Sequence, residues 1–152
     1  CVLEAGRAGR TARGVTIPQF VVDRGQQGEI VGRSRYLKEH TVAVRIVGVQ
    51  PATDEARIPG IRRGPKAYLP AIFDPARVDV TMDVTQKEAE DMARTLAKTE
   101  GVFTGVSAGG ACAAACRLAS TLDAGVVVFI LCDQGDRYLS SDLVLQSGKD
   151  RK

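Results

Sequence analysis

Ser107 lies in Gly105-Val106-Ser107-Ala108-Gly109, the GxSxG spacing of a nucleophile elbow. A serine hydrolase of that pattern needs a histidine base after the serine. The sole histidine, His40, comes long before it. It stands at the end of an expected helix, where a cation complements the helix dipole. Composition therefore excludes the hydrolase. The plainer role for Ser107 is the N-cap of the helix that follows. A second stretch, Gly25-Gln26-Gln27-Gly28, falls between an expected strand and an expected helix. Glycines let a ligand approach the backbone, and the first N–H groups of a helix favour an anion, so this turn is a candidate phosphate cradle. It is neither a Walker loop nor GxGxxG. A third loop, Asp133 to Arg137, also follows an expected strand, which is where open α/β sheets hold ligands. The cysteines, Cys1, Cys112, Cys116 and Cys132, form no CxxC pair, and with one histidine they do not assemble a zinc site. Cys112 and Cys116, four apart, share a helix face as small apolar residues.

Several elements must position these loops. Residues 16–22 read as a short strand and 28–39 as a helix. Val42 to Val49 is a second strand, stopped by Pro51. Residues 51–76 hold five prolines and two glycines and read as a long irregular crossing. Val78 to Val84 is a half-exposed third strand. Thr85 with Glu88 is a capping box that opens a helix from 86 to about 100, closed by Gly101 in the left-handed conformation. Residues 102–105 read as extended, and a helix of very small residues runs from Ser107 to about Leu122. Val126 to Cys132 is unbroken apolar, as expected for a parallel strand covered on both faces. Strands alternating with helices imply an α/β fold: three layers around a mostly parallel sheet. Residues 1–14 carry three arginines and no apolar stripe, and read as a loose arm; the tail after Leu145 is polar.

With 44% apolar and 26% charged residues over 152 positions, the chain is of globular composition. Net charge is +3, with the basic excess before residue 64 and a small acidic excess after it. An uneven balance of this size suits an anionic ligand or simply an arginine-rich surface. Aromatics are only 5%, and no dense basic block interleaves with them, so nucleic-acid binding gains no support. The longest uncharged run, Gly101 to Cys116, carries four glycines and is a poor membrane span. No apolar leader stands near residue 1, and cysteine usage points to a reducing, cytoplasmic setting.

Several stretches, in order, resemble one family. Gln27-Gly28-Glu29-Ile30-Val31-Gly32-Arg33-Ser34-Arg35-Tyr36-Leu37-Lys38-Glu39 and Val47-Gly48-Val49-Gln50-Pro51 resemble the middle of a cysteine synthase. Ile58-Pro59-Gly60-Ile61-Arg62-Arg63, with Tyr68-Leu69-Pro70 and Ile72-Phe73, resembles the B type. Glu100 through Gly110 and Cys132 through Ser141 complete the match, which runs from about residue 15 to 144. It covers the C-terminal part of such an enzyme. The resemblance implies a tryptophan synthase β-like fold that uses pyridoxal 5'-phosphate. It also implies β-replacement, in which O-acetylserine loses acetate and sulfide adds to give cysteine.

By resemblance, the loop that holds the cofactor phosphate falls on Gly25, Gln26, Gln27, Gly28 and Glu29. The serine that bonds the pyridine nitrogen falls on Ser107. The loop around Arg62 becomes a mobile lip whose charge meets an anionic substrate or leaving group; a solvated arginine pair is the alternative. Two departures weigh against activity. No lysine here has the family's Ser-x-Lys-Asp-Arg context, so the chain has no catalytic residue to assign and is expected to be inactive alone. The threonines of the phosphate loop are replaced, and Glu29 brings a negative charge. Two unit charges about 5 Å apart repel by roughly 3 kcal/mol at an effective dielectric of 20. The alternatives are a non-catalytic remnant acting as an interaction module, or another enzyme of the fold, a cystathionine β-synthase or a dehydratase. A homodimer and serine acetyltransferase are the macromolecular partners that the resemblance implies.

Overall fold

The computed structural model describes residues 2–5, 19–23, 27–40, 44–61, 63 and 74–139. Among the described residues five strands form one sheet: β1 (Val2–Ala5), β2 (Gln19–Asp23), β3 (Arg45–Pro51), β4 (Val80–Val84) and β5 (Gly125–Phe129), in the order β1-β5-β2-β3-β4. The pairs β5–β2, β2–β3 and β3–β4 are parallel, and β1 joins β5 antiparallel at the edge. The helices are α1 (Gln27–His40), α2 (Gln86–Thr95) and α3 (Val106–Ala119). The expected mostly parallel sheet in an α/β fold is present.

The alternation of side chains along each strand builds three layers. Val21, Val47, Val49, Val127 and Phe129 face α2 and α3 and are fully buried. Their neighbours Phe20, Val22 and Ile46 face the other way and pack with Leu37 of α1. Each fully buried valine contributes about 1.5–3 kcal/mol relative to exposure. On the α1 side, Asp79 ties two layers together. Its carboxylate accepts from the Ile46 N–H at 2.8 Å and from Lys38 at 2.8 Å.

The helix termini follow local chemistry. Thr85 Oγ accepts from the Glu88 N–H at 3.1 Å while the Glu88 carboxylate accepts from the Thr85 N–H at 2.7 Å, a complete capping box. The helix expected to reach residue 100 does so, but its last five residues, Leu96–Glu100, widen into a π-helical turn before Gly101 reverses the chain at φ +67°. In α3 the small residues serve contact with α2. A Cβ on Gly109 would overlap the Ala89 carbonyl oxygen, so the two backbones touch.

Four readings of the sequence need correction. The strand expected from Val126 to Cys132 ends at Phe129, and only Val127 and Phe129 are buried, while Val126 and Val128 on its other face stay partly exposed. Residues Val2–Ala5, inside the expected loose arm, form β1, because Gly125 to Val128 offer them a free edge. β3 continues past Val49 and ends with Pro51 as its last residue, paired with Val84 of β4. The N-cap of α3 is Gly105, not Ser107: extended backbone persists to Gly105 (φ −77°, ψ 171°), so Ser107 is already helical. The polar tail after Leu145 lies outside the described residues.

Candidate functional site

In a parallel sheet the strand ends that carry ligands share one edge. Three described segments meet that edge. The first is the start of α1, which follows β2. Gln27 and Gly28 are its first two residues, so the expected turn has already become helix there. Their backbone N–H groups belong to the set that a helix leaves unpaired at its N-terminus. Gly25 and Gln26 lie outside the described residues.

The second segment follows β3. Ile61 N–H donates to the Ile58 carbonyl at 3.0 Å across Pro59-Gly60. Gly60 has φ +87°, so this is the turn that takes proline and then glycine at its centre. Ile58 and Ile61 are buried in the core beneath it. Arg63 Nη1 donates to the Pro51 carbonyl at 2.9 Å and also to that of Ala52. Its guanidinium lies 3.8 Å from both Asp54 and Asp83. The described part of the expected mobile lip is thus anchored at both ends; Arg62 lies outside the described residues.

The third segment opens α3. Ser107 is its second residue and only 4% exposed. Gly60 stands against it: a Cβ there would lie 3.7 Å from Ser107 Cβ and 3.8 Å from Oγ. The geometry therefore brings the Ile-Pro-Gly-Ile turn and the GxSxG serine together, Gly60 and Ser107 being 47 residues apart in sequence but adjacent at one sheet edge.

The loop after β5 closes this edge. Thr104 Oγ1 donates to the Asp133 carbonyl at 2.9 Å, and Thr104 pairs with Gln134 in an antiparallel bridge. The Tyr138 hydroxyl donates to Asp133 Oδ2 at 2.5 Å. Burial, then this bond and the carboxylate charge, push the Tyr138 phenol up to about 12, so it stays a donor throughout the ordinary pH range. A cavity of about 560 Å³ lies here, lined by Phe103, Thr104, Cys132, Asp133 and Arg137 among others. That volume suits a small molecule. The sequence singled out this loop by its place after a strand but gave no sign of the Thr104, Asp133 and Tyr138 contacts.

Known proteins bear on this arrangement. The sequence profile of the family described as pyridoxal-phosphate dependent enzyme matches residues 10–133. Cysteine synthase B of Pseudomonas aeruginosa is 56% identical over 128 residues, 84% of this chain and 42% of the relative. Cysteine synthase B of Escherichia coli is 49% identical with the same coverage. The crystal structure of cysteine synthase from Entamoeba histolytica superposes with a TM-score of 0.76 at 27% identity, covering 86% of this chain and 41% of that one. An O-acetylserine dependent cystathionine β-synthase from Helicobacter pylori gives 0.72 at 32% identity, covering 86% and 45%. The chain spans about two fifths of the curated relatives it matches. With a family profile covering most of its length, this chain belongs to the pyridoxal-phosphate dependent enzymes.

Proposed function

We propose that this chain carries part of the cofactor and substrate site of a B-type cysteine synthase. The parent reaction replaces the acetate of O-acetyl-L-serine with sulfide, giving L-cysteine and acetate. The observation that carries this reading is the buried Ser107 at the start of α3 with Gly60 against it. That pairing fits the ring end of pyridoxal 5'-phosphate. A neutral hydroxyl is present, and Gly60 leaves free the volume that a Cβ would fill. Bound there, the cofactor supplies an electron sink for a carbanion at the substrate α-carbon.

In this reading Ser107 holds the pyridine nitrogen. A neutral hydroxyl leaves that nitrogen unprotonated, which moderates the sink and favours elimination over transamination. Gln27 and Gly28 offer backbone N–H groups to the phosphate, completed by Gly25 and Gln26, with the dipole of a 14-residue helix behind them. Arg62 meets the anionic substrate or its leaving group. Glu29 weakens phosphate binding if its carboxylate turns inward and costs little if it points to solvent. The 152 residues hold no lysine in a Ser-x-Lys-Asp-Arg context, so they bind without turning substrate over by themselves. A homodimer, serine acetyltransferase as partner and a cytoplasmic setting belong to the same reading and follow from the resemblance of the sequence to a cysteine synthase. Among the described residues no helix is long and apolar enough to cross a membrane.

A second reading, a non-catalytic interaction module, is favoured by Gln26, Gln27 and Glu29 standing where the family places a glycine- and threonine-rich phosphate loop. Titration with pyridoxal phosphate, read by absorbance and fluorescence, separates the two. Saturable binding is expected, weakened about ten-fold in Ser107→Ala, the scale of one lost hydrogen bond, and strengthened in Glu29→Thr. Binding in no version, Glu29→Thr included, removes the enzymatic reading and leaves the module.

A further inference from the structure

The lead-in to α3 is sewn to the loop after β5. Besides the Thr104–Gln134 bridge, the Gly105 N–H donates to the Asp133 carbonyl at 3.4 Å and the Gly135 N–H to the Phe103 carbonyl at 3.1 Å. Both strands of this seam meet through glycine. A Cβ on Gly135 would come 2.6 Å from the Phe103 ring, and one on Gly105 would overlap the Asp133 carboxylate. The carboxylate therefore rests directly on the residue that caps α3. Oδ2 takes the Tyr138 hydroxyl, while Oδ1 is buried without a hydrogen-bond partner among the described residues. An acceptor left in that state turns toward a donor unless it is held. Two things hold it: the Tyr138 bond on one side and the Gly105 backbone on the other. A negative group at this end of α3 is also favoured by the helix dipole.

We infer that Asp133 and Tyr138 are positioning residues for Ser107, acting through Gly105 as a strut against the N-terminus of α3. That the strut serves a cofactor rests on the reading above; that it holds Ser107 in place does not. Ser107 is two residues beyond Gly105, so a shift of the cap is carried to its hydroxyl by the first helical turn. The loop after β5 thereby acts on the cofactor ring without touching it.

Hydrogen exchange of the backbone amides from Phe103 to Gly109 tests the strut in the full chain. The versions compared are native, Tyr138→Phe, Asp133→Ala and the double variant. Each single variant is expected to speed exchange there about ten-fold, the scale of losing one charge-assisted bond. The double variant should add nothing further, because both changes remove the same bond. The amides of Val47 and Val49 in β3 should keep their native rates. Pyridoxal phosphate affinity should fall about ten-fold in parallel. Native rates from Phe103 to Gly109, additive effects in the double variant, or equal acceleration in β3 would each overturn the strut. If the native chain binds no pyridoxal phosphate, the proposed function fails while the exchange rates still decide the strut.

Discussion

Two helical glycines should respond to alanine with opposite sign. In an exposed helix interior, Gly→Ala gains about 1 kcal/mol from backbone entropy. Gly32 of α1 has open space around it: among the described residues nothing lies within 4 Å of where a Cβ would sit. Gly32→Ala should therefore stabilise by about 0.5–1 kcal/mol. Gly109 of α3 has the same propensity to gain. Its Cβ, however, would overlap the Ala89 carbonyl oxygen and lie 2.8 Å from Ala93 N and 2.9 Å from Ala93 Cβ. Those are main-chain atoms or a bare methyl, none of which swings aside as the end of a long side chain does. The α2–α3 pair must separate, and because the overlap is with backbone the overpacking cost lies at the upper end of its usual range, about 2–3 kcal/mol. Set against the propensity gain, Gly109→Ala should lose roughly 1–2 kcal/mol. Urea unfolding followed by circular dichroism measures both, with ΔG extrapolated linearly and the slope expected unchanged. At a slope of about 2 kcal/mol/M the midpoint falls by about 0.5–1 M in Gly109→Ala and rises by about 0.3–0.5 M in Gly32→Ala. A Gly109→Ala midpoint at or above the native one would refute the close contact of α2 and α3.

Other perturbations address single interactions. Thr85→Ala removes one half of the capping box and should cost about 1 kcal/mol in the same unfolding assay. Bonds from the Thr85 N–H and hydroxyl, helped by Arg117, hold the Glu88 carboxyl below its ordinary 4.5. A carboxyl lowered on folding stabilises above its unfolded value. Native stability should therefore decline as pH falls below about 4.5, and less steeply in Glu88→Gln, as followed by thermal midpoints across pH. Asp79→Ala leaves the Ile46 N–H without its side-chain acceptor and frees Lys38, and should cost about 1–3 kcal/mol by urea unfolding.

What the sequence made legible was local. The Thr85–Glu88 box and the Gly101 reversal follow from neighbours within a few residues and appear where expected, and the alternating strand expected from Val78 to Val84 is present over Val80–Val84. The cap of α3 was misread because Ser107 has the right side chain for an N-cap. The bridge from Thr104 to Gln134 instead fixes the last extended residue at Gly105. β1 was missed because four residues of mixed polarity declare no strand until β5 offers an edge. At the site, GxSxG and the Pro-Gly turn were visible as patterns, but nothing local brings Gly60 to Ser107; the sheet does that. The Asp133 strut was hidden for the same reason, since its partner surface is a glycine backbone.

The centre of the sheet has a consequence for synthesis on the ribosome. Strands β2, β3 and β4 pair in the order in which they emerge, each as neighbour to the last. The other flank of β2 waits for β5, with Phe20 opposite Val128 and Val21 opposite Phe129. Until residue 129 has left the exit tunnel, a nascent chain presents the open backbone of β2, with Phe20, Val21 and Val22 at its centre, to whatever is nearby. A chaperone that reads extended apolar segments therefore has a defined period in which to act on β2, and a translational pause before residue 125 would lengthen it.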